Sequence, residues 1–309
     1  MLNNEFYALK EIPKYKLYSY SKIYSHLTEP NILKKFSQSD FLPTIISSFQ
    51  DYNNIYLITT FYDGKTLQFL SKENMTEKQI KFVSACIIQS LAYLRKKKII
   101  HRDLKFNNII MDKKKYFNLI DFSFSIDYSH KDQMDKYLNA FLKVSPPEMI
   151  KFEAYYYNSD YYRLGSMIYY LLFKKYPNAV KIQNNITNIK LNYKDIKNYS
   201  KNIIDFLNKL IISDPKKRIG FKDINELKNH SWFMGYDWNN LEKKKLVSPF
   251  KLIKNKVNQR LCIKKISISN KCLIKYKSNS KENRYKLLTQ KFNYVNKKII
   301  KQILSFDRN

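Results

Sequence analysis

One short loop, residues 101–108, restricts what this chain can fold into more than any other feature. It reads His101-Arg102-Asp103-Leu104-Lys105-Phe106-Asn107-Asn108, the pattern H-R-D-L-x-x-x-N, and Asp121-Phe122-Ser123 follows it. The pattern sets a carboxylate that can accept a hydroxyl proton beside a lysine, and it adds an asparagine and a second carboxylate that can hold a metal ion. A basic surface loop with an accidental His-Arg-Asp is the alternative, which the partner motifs elsewhere in the chain disfavour.

The composition is that of a globular protein. Its 309 residues suffice for one or two domains with a large core, and 44% hydrophobic with 16% aromatic residues argues against disorder. The net charge of +31 suggests nucleic acid as a partner, but Lys, Asn, Ile and Tyr are abundant together while Gly and Pro are scarce, which favours a coding bias. Because no zinc spacing or RNA-binding aromatic motif accompanies the charge, we expect no specific nucleic acid and keep a non-specific attraction to anionic lipid open.

The cysteines and the N-terminus indicate the compartment. Cys86, Cys262 and Cys272 form neither a CxxC pair nor an even framework, which favours a reducing environment. The first residues lack the pattern of a signal peptide, and no apolar run is long enough to cross a bilayer. We therefore expect a soluble cytoplasmic protein, with peripheral membrane contact left open.

The hydrophobic period changes along the chain. Strand-like runs are predicted at residues 5–10, 44–49 and 55–60, with a helical segment at 25–29 between the first two. Thr76 and Gln79 form a capping box that opens a helix with apolar residues at helical spacing. Further helices are predicted after the capping residues Asp160 and Ser200. This order predicts an α+β fold in two lobes, the first sheet-rich and the second helical.

Four further motifs extend the pattern of the loop. Residues 7–10 (Tyr-Ala-Leu-Lys) resemble V-A-I-K, and residues 146–148 (Pro-Pro-Glu) stand where A-P-E would follow. Residues 160–165 match D-x-W-x-L-G except at the tryptophan, and residues 214–218 end on an arginine. Together these motifs resemble the protein kinase family. The resemblance implies a bilobal protein-kinase-like α+β fold, with a truncated N-lobe in 1–62, a C-lobe in 63–250 and a basic tail in 251–309 that is read either as irregular or as part of a pleckstrin-homology-like β module.

The resemblance also implies a reaction and its residues. The chain would be a protein Ser/Thr kinase that moves the γ-phosphate of ATP to a protein hydroxyl with Mg²⁺. Asp103 would accept the hydroxyl proton, and Lys105 would neutralise the charge that develops on the phosphoryl group. Asn108 and Asp121 would hold magnesium. The remaining positions implied are Lys10 with Glu29 for the phosphates, Ala8, Thr59, Thr60, Tyr62 and Ile110 around the adenine, and Arg102, Glu148, Asp160 and Arg218 as structural support, with Arg218 pairing with Glu148.

The ending at residues 230–250 is similar to that of the AGC group of Ser/Thr kinases. Within the group, residues 48–51, 144–146 and 158–160 resemble the 3-phosphoinositide-dependent protein kinases. That likeness implies a protein substrate whose hydrophobic tail docks in an N-lobe groove. The groove residues would be Lys14, Tyr18, Gln50 and Ile55.

The chain departs from the family pattern in three places. Only residues 1–9 precede Lys10, so the glycine-rich loop over the phosphates and its two strands have no place, and we expect an exposed sheet edge. Ser123 replaces the glycine of D-F-G, which predicts a more restricted turn. Residues 131–144 hold no Ser or Thr, with Tyr137 near the usual phosphorylation site and Phe141 in place of a threonine.

Three hypotheses therefore remain from the sequence. The intact set of charged motif residues favours an active kinase. The missing loop, Ser123 and the altered segment at residues 131–144 favour a catalytically impaired kinase fold, or a fragment of one, that serves as a docking scaffold. A basic lipid- or nucleic-acid-binding protein rests only on the charge and on the C-terminal segment.

Overall fold

The computed structural model describes residues 6–16, 28–36, 39–129, 145–150, 156–182, 185–191, 199–251 and 294–295. Within these ranges the first part of the chain is sheet-rich and the later part mainly helical, so the predicted α+β class is confirmed. Predictions for residues 17–27, for the segment 130–144 and for most of the basic tail lie outside the described residues.

The N-terminal sheet is built on β1 (Tyr7–Pro13), β2 (Ile45–Gln50) and β3 (Asn54–Thr60). Both β1 and β2 pair antiparallel with β3, which therefore lies in the middle and places Lys10 opposite Leu57. Leu57 and Ile55 are buried, while Tyr7 and Leu9 on β1 are exposed. Among the described strands, β1 forms one edge of the sheet, as the sequence predicts.

At the other edge of the sheet, a short strand from the C-terminal part of the chain pairs with β2. A two-residue strand, Tyr294–Val295, pairs antiparallel with Ser48 and Ser47 of β2. This strand is β10, the last of the described strands in chain order. The tail prediction for 251–309 otherwise lies outside the described residues and stays a prediction.

The helical part is organised around α3 (Glu77–Lys96). Thr76 and Gln79 form the predicted capping box at its start, and the face with Ile80, Val83 and Ile87 is buried. Each such side chain contributes about 1.5–3 kcal/mol through burial. Its helical neighbours are α1 (residues 28–33), α2 (Leu67–Leu70), α4 (Pro147–Ile150), α5 (Tyr157–Phe173), α6 (Lys201–Leu210), α7 (Asn225–Lys228) and α8 (Trp238–Glu242).

Short strands complete the helical part. β4 (Ile99–Ile100) pairs with β7 (Ile126–Asp127), β5 (Ile109–Met111) with β6 (Phe117–Leu119), and β8 (Asn178–Ile182) with β9 (Asn185–Lys190). The β5–β6 hairpin lies between the two candidate metal-holding motifs. The hairpin therefore fixes their separation.

The connection after β3 passes very close to that hairpin. A Cβ atom added to Gly64 would lie 2.1 Å from the carbonyl oxygen of Met111, so only glycine fits there. Thr66 forms an isolated bridge with Ile110. These contacts fix the link between the sheet and the helical part against β5.

Two predictions about α5 and α6 have different outcomes. Ser200 caps α6 as expected, because its hydroxyl accepts a hydrogen bond from the N–H of Ile203. Asp160 does not cap α5, which begins at Tyr157 and has Tyr156 as its N-cap residue. The carboxylate of Asp160 is buried inside the first turn and is used elsewhere, as described below.

A buried ion pair joins α4 to the loop after α6. Arg218 Nη1 and Nη2 donate to Glu148 Oε1 and Oε2 at 2.7 and 3.0 Å, and both side chains are almost fully buried. Arg218 also donates to the backbone carbonyls of Asn158 and Ile212. The pair implied by the sequence is therefore present, and its hydrogen-bonding groups are largely satisfied.

The segment after α8 is fastened to the β5–β6 hairpin. Lys244 Nζ lies 2.6 Å from Asp112 Oδ2 and 3.0 Å from Asn118 Oδ1. Tyr116 donates its hydroxyl proton to the carbonyl of Leu246, and Phe250 packs against Phe117. No helix within the described ranges is long and apolar enough to cross a membrane.

Candidate active site

A lysine and two carboxylates meet where the sheet faces the helical part. Lys10 Nζ lies 2.8 Å from Glu29 Oε2 and 3.0 Å from Asp121 Oδ1. Lys10 extends from β1, Glu29 from α1, and Asp121 follows β6. Three separate elements therefore supply one cluster, which is the arrangement that the sequence motifs predict.

Burial differs within this cluster. Glu29 is buried, whereas the side chains of Lys10 and Asp121 are about one-third exposed, at 36% and 34%. Glu29 Oε1 also accepts a hydrogen bond from the N–H of Phe122 at 3.2 Å. Glu29 thus acts as the inner support, and the lysine and Asp121 face the open side.

The charges set the protonation states. Burial alone would lower the pKa of Lys10, but the Glu29 and Asp121 carboxylates outweigh it and raise the pKa. Burial alone would raise the pKa of Asp121, and Lys10 and the Ser123 hydroxyl instead hold it at about 2. At neutral pH the cluster therefore presents an ammonium group and an ionised Asp121.

The loop at residues 101–108 places the candidate proton acceptor. Asp103 Oδ2 accepts hydrogen bonds from Lys105 Nζ at 2.6 Å and from Asn108 Nδ2 at 2.8 Å. Asn108 Nδ2 also donates to the backbone carbonyl of Asp103. Because the amide nitrogen of Asn108 is used in this way, its side-chain oxygen is the atom left for a ligand.

Asp160 fixes the backbone at the start of this loop. Its Oδ2 and Oδ1 accept from the N–H groups of His101 and Arg102 at 2.8 and 3.0 Å. Arg102 has a left-handed backbone (φ 64°), and its Nε donates to the carbonyl of Phe124. The support role implied for Asp160 and Arg102 corresponds to these contacts.

His101 links the loop to the second carboxylate motif. Burial lowers the pKa of His101, so the ring is neutral near pH 7. One tautomer satisfies both ring nitrogens: Nε2–H donates to the carbonyl of Ile120 at 3.2 Å, and Nδ1 accepts from the N–H of Asp103 at 3.3 Å. Ile120 N–H also donates to the carbonyl of Asn108 at 2.8 Å. Asp103, Asn108 and Asp121 are therefore held in one region.

The donor set suits a hard divalent cation. Asp121 offers an ionised carboxylate and Asn108 an amide oxygen, and oxygen ligands are those that Mg²⁺ prefers. Two protein ligands are few, which fits an ion that also binds the phosphates of a nucleotide. The residues present therefore fit magnesium with a nucleotide.

The residues expected around the adenine lie on β1, β3 and β5 and on the segment that follows β3. Ala8 is opposite Thr59 in the sheet, and Tyr62 is half-buried beyond the end of β3. Ile110 is half-buried on the hairpin next to the linking segment. The N–H of Thr60 donates to the carbonyl of Thr44 at 3.0 Å, and the hinge role expected for its backbone stays a prediction.

The predicted docking groove is only partly represented. Lys14 lies in a 3₁₀ turn and donates to the carbonyl of Asp51, and Gln50 ends β2 next to Ile55. We expected Ile55 to line this groove, but its side chain is fully buried and is not available to a docked peptide. Tyr18 lies outside the described residues.

Two contacts between side chains carry no motif in the sequence. Ser123, which we expected only to restrict the turn, donates its hydroxyl proton to Asp121 Oδ1 at 2.9 Å. Lys35, just after α1, pairs with Asp127 of β7, with 2.5 Å between Nζ and Oδ2. The sequence signal for the second pair is weak, because the two residues are far apart in the chain and neither belongs to a known pattern.

Comparison with known proteins gives the family. Residues 1–233 match the protein kinase domain family. The chain is 30% identical over 251 residues to a probable serine/threonine-protein kinase of Dictyostelium discoideum, covering 79% of this chain and 54% of that protein. It is 28% identical over 256 residues to serine/threonine-protein kinase Sgk1 of Fundulus heteroclitus, covering 80% and 59%. With Sgk1 of Rattus norvegicus, it is 28% identical over 252 residues, covering 79% and 58%. The chain thus spans little more than half the length of these relatives.

Proposed function

Because the chain belongs to the protein kinase domain family, we propose that it transfers the γ-phosphate of ATP to a Ser or Thr hydroxyl of a protein. The observation that carries this proposal is the convergence of Lys10, Glu29, Asp103, Asn108 and Asp121, which the hydrogen bonds above hold in one region. Phosphoryl transfer needs mainly positioning and charge stabilisation, and these residues supply both.

Each residue has a task in that reaction. Asp103 orients the attacking hydroxyl and accepts its proton, because Lys105 and Asn108 hold its carboxylate in place through Oδ2. Lys105 offsets negative charge on the group in transfer. Lys10, held extended by Glu29, binds the α- and β-phosphates. Magnesium, held by Asn108 and Asp121, would neutralise charge on the phosphates.

The test compares two substitutions of aspartate by asparagine. Asp103→Asn removes the proton acceptor, and we expect transfer from ATP to a Ser/Thr peptide to fall by a factor of roughly 100 or more. Asp205→Asn on α6, where the side chain is 49% exposed, serves as the matched control and should keep full transfer. Circular dichroism and thermal unfolding check that both variants remain folded.

The results separate two candidate functions. Transfer by the wild type that disappears with Asp103→Asn supports the enzyme. Absence of transfer in the wild type, with no effect of Mg²⁺ and ATP on thermal unfolding, would instead favour a non-catalytic kinase fold. Equal transfer by the wild type and Asp103→Asn would contradict the role given to Asp103.

Finer features of the proposal rest on sequence likeness or composition. They include membership of the AGC group with likeness to the 3-phosphoinositide-dependent kinases, the docking of a client's hydrophobic tail, and a cytoplasmic location. Contact of the basic tail with anionic lipid belongs with them. Transfer assays with basic, acidic and neutral Ser/Thr peptides, with and without a hydrophobic C-terminal tail, test the substrate features directly.

A further inference from the structure

Ser123 makes a direct contact with the metal-holding carboxylate. Its hydroxyl donates to Asp121 Oδ1 at 2.9 Å, and its N–H approaches the same oxygen at 3.4 Å. Ser123 is buried. A glycine at this position has no hydroxyl, so the first of these hydrogen bonds is a property of this chain's own residue.

The three donors that the described residues place around Asp121 converge on one oxygen. Lys10 Nζ lies 3.0 Å from Oδ1, and the hydroxyl and N–H of Ser123 contact that same atom. A carboxylate held through Oδ1 has its plane and rotation fixed, and Oδ2 remains as the oxygen available to a cation. The contacts therefore select one orientation of the side chain.

The backbone conformation of this turn is consistent with a fixed orientation of the Asp121 side chain. Asp121 has a left-handed backbone (φ 63°), which aspartate tolerates better than most residues. Ser123 is not among the described residues with positive φ. The serine is therefore unstrained here, and replacing glycine carries no backbone cost in this conformation. Any rearrangement of the turn that needs positive φ at residue 123 would be disfavoured by serine and allowed by glycine.

We propose that Ser123 is a positioning residue that holds Asp121 in its metal-binding orientation and restricts the turn to this arrangement. The inference rests on the proposed function, because it assigns the role of Ser123 relative to the cation that accompanies the nucleotide. It adds a direct contact with Asp121 to the expectation that serine restricts the turn.

The test measures cation affinity and turn protection in the full chain. The probe is Mn²⁺ with a non-hydrolysable ATP analogue, followed by the electron paramagnetic resonance signal of free Mn²⁺. Ser123→Ala removes the hydroxyl and keeps the backbone restriction, and we expect the Kd for Mn²⁺ to rise about 3- to 10-fold. Ser123→Gly removes both, and we expect a larger rise.

A second measurement reports on the turn without ligand. Amide hydrogen exchange at residues 122–125 of the ligand-free protein should be slowest in the wild type, faster in Ser123→Ala and fastest in Ser123→Gly. Ser84→Ala in α3 is the matched control: Ser84 is buried, and its hydroxyl makes no hydrogen bond among the described residues. Its Kd and its exchange at residues 122–125 should equal those of the wild type.

The outcomes distinguish this inference from the proposed function. If Ser123→Ala matches Ser84→Ala in both measurements while the wild type binds Mn²⁺ and transfers phosphate, only the role of Ser123 is wrong. If Ser123→Ala weakens binding but the wild type transfers no phosphate, the inference stands and the enzyme proposal fails. A wild type that does not bind Mn²⁺ with the nucleotide analogue overturns both.

Discussion

Two clusters among the described residues each combine positive and negative side chains, and the clusters differ in their access to water. Glu148 and Arg218 are almost fully buried, and backbone carbonyls take up further arginine donors. Lys10, Glu29 and Asp121 also form a network, but the lysine and Asp121 stay about one-third exposed. Ionic pairing alone therefore does not identify a functional site.

The difference lies in what each cluster leaves available. The buried pair has its charged atoms occupied by the protein, so it joins α4 to the loop after α6 and can do little else. The open cluster keeps a lysine ammonium and one carboxylate oxygen facing the side from which a ligand can enter. A charged group is useful for binding when the protein fixes its position without using all of its hydrogen-bonding capacity.

The largest expected effect on stability comes from breaking the buried pair. Arg218→Met leaves Glu148 buried without its cation, and we expect the free energy of unfolding to fall by about 3–5 kcal/mol. Lys10→Met should cost clearly less, because Lys10 is itself about one-third exposed and Glu29 keeps the hydrogen bond from the Phe122 N–H, while nucleotide-dependent thermal stabilisation is lost. Urea unfolding measures the free energy of unfolding of both variants. Equal losses in the two variants would contradict the conclusion that the buried pair contributes more to stability than the exposed cluster.

The ion pair of Lys35, just after α1, with Asp127 of β7 is expected to make an intermediate, pH-dependent contribution to the free energy of unfolding. Partial burial pushes the pKa of Asp127 up, but hydrogen bonds from Lys35 and Ser129 hold it at about 2, against 3.8 for the free group. A lowered folded pKa means that this stability is present above about pH 4 and is lost as the pH falls towards 2. Asp127→Asn should therefore cost roughly 1 kcal/mol at pH 6, allowing for solvent screening, and progressively less below pH 4.

The control for this pH effect is Asp40→Asn, at an exposed position. Urea unfolding at pH 6, 4 and 3 gives the difference from wild type for both variants. The Asp127→Asn difference should shrink with falling pH, and the control difference should stay near zero. A difference for Asp127→Asn that does not change with pH would exclude the assigned stabilising role of the ionised carboxylate.

The smallest effect is expected for the most exposed ion pair of the described residues. Lys209 and Asp205 face each other one turn apart on α6, with both side chains 49% exposed. Lys209→Gln should change the free energy of unfolding by less than about 0.5 kcal/mol. Thermal and urea unfolding in low and high salt check this, and a loss above 1 kcal/mol would show that exposure does not rank the pairs.

Local signals in the sequence predicted much of this arrangement. The capping box at Thr76, the Ser200 cap and the strand at Lys10 depend on neighbouring residues, so their patterns are readable in one dimension. The positions of Asp103, Asn108 and Asp121 follow from fixed spacing in known motifs. These parts needed no knowledge of tertiary contacts.

Contacts between distant segments were not predictable in the same way. Asp160 looks like a helix cap in the sequence, but its carboxylate binds backbone N–H groups of the loop at residues 101–108. The pairs Lys35–Asp127 and Lys244–Asp112 join residues from different elements, and no periodicity relates them. The sequence predicts only that Ser123 restricts the backbone, because the oxygen that its hydroxyl contacts depends on the three-dimensional structure.

The addition of β10 to the outer edge of β2 makes residues 294–295 part of the sheet that carries Lys10. A shortened form ending before residue 294 would leave the backbone groups of Ser47 and Ser48 without these strand partners. An uncovered strand edge invites pairing with another polypeptide. Expression of such a form would then be limited by self-association, even though the catalytic loop itself was unchanged.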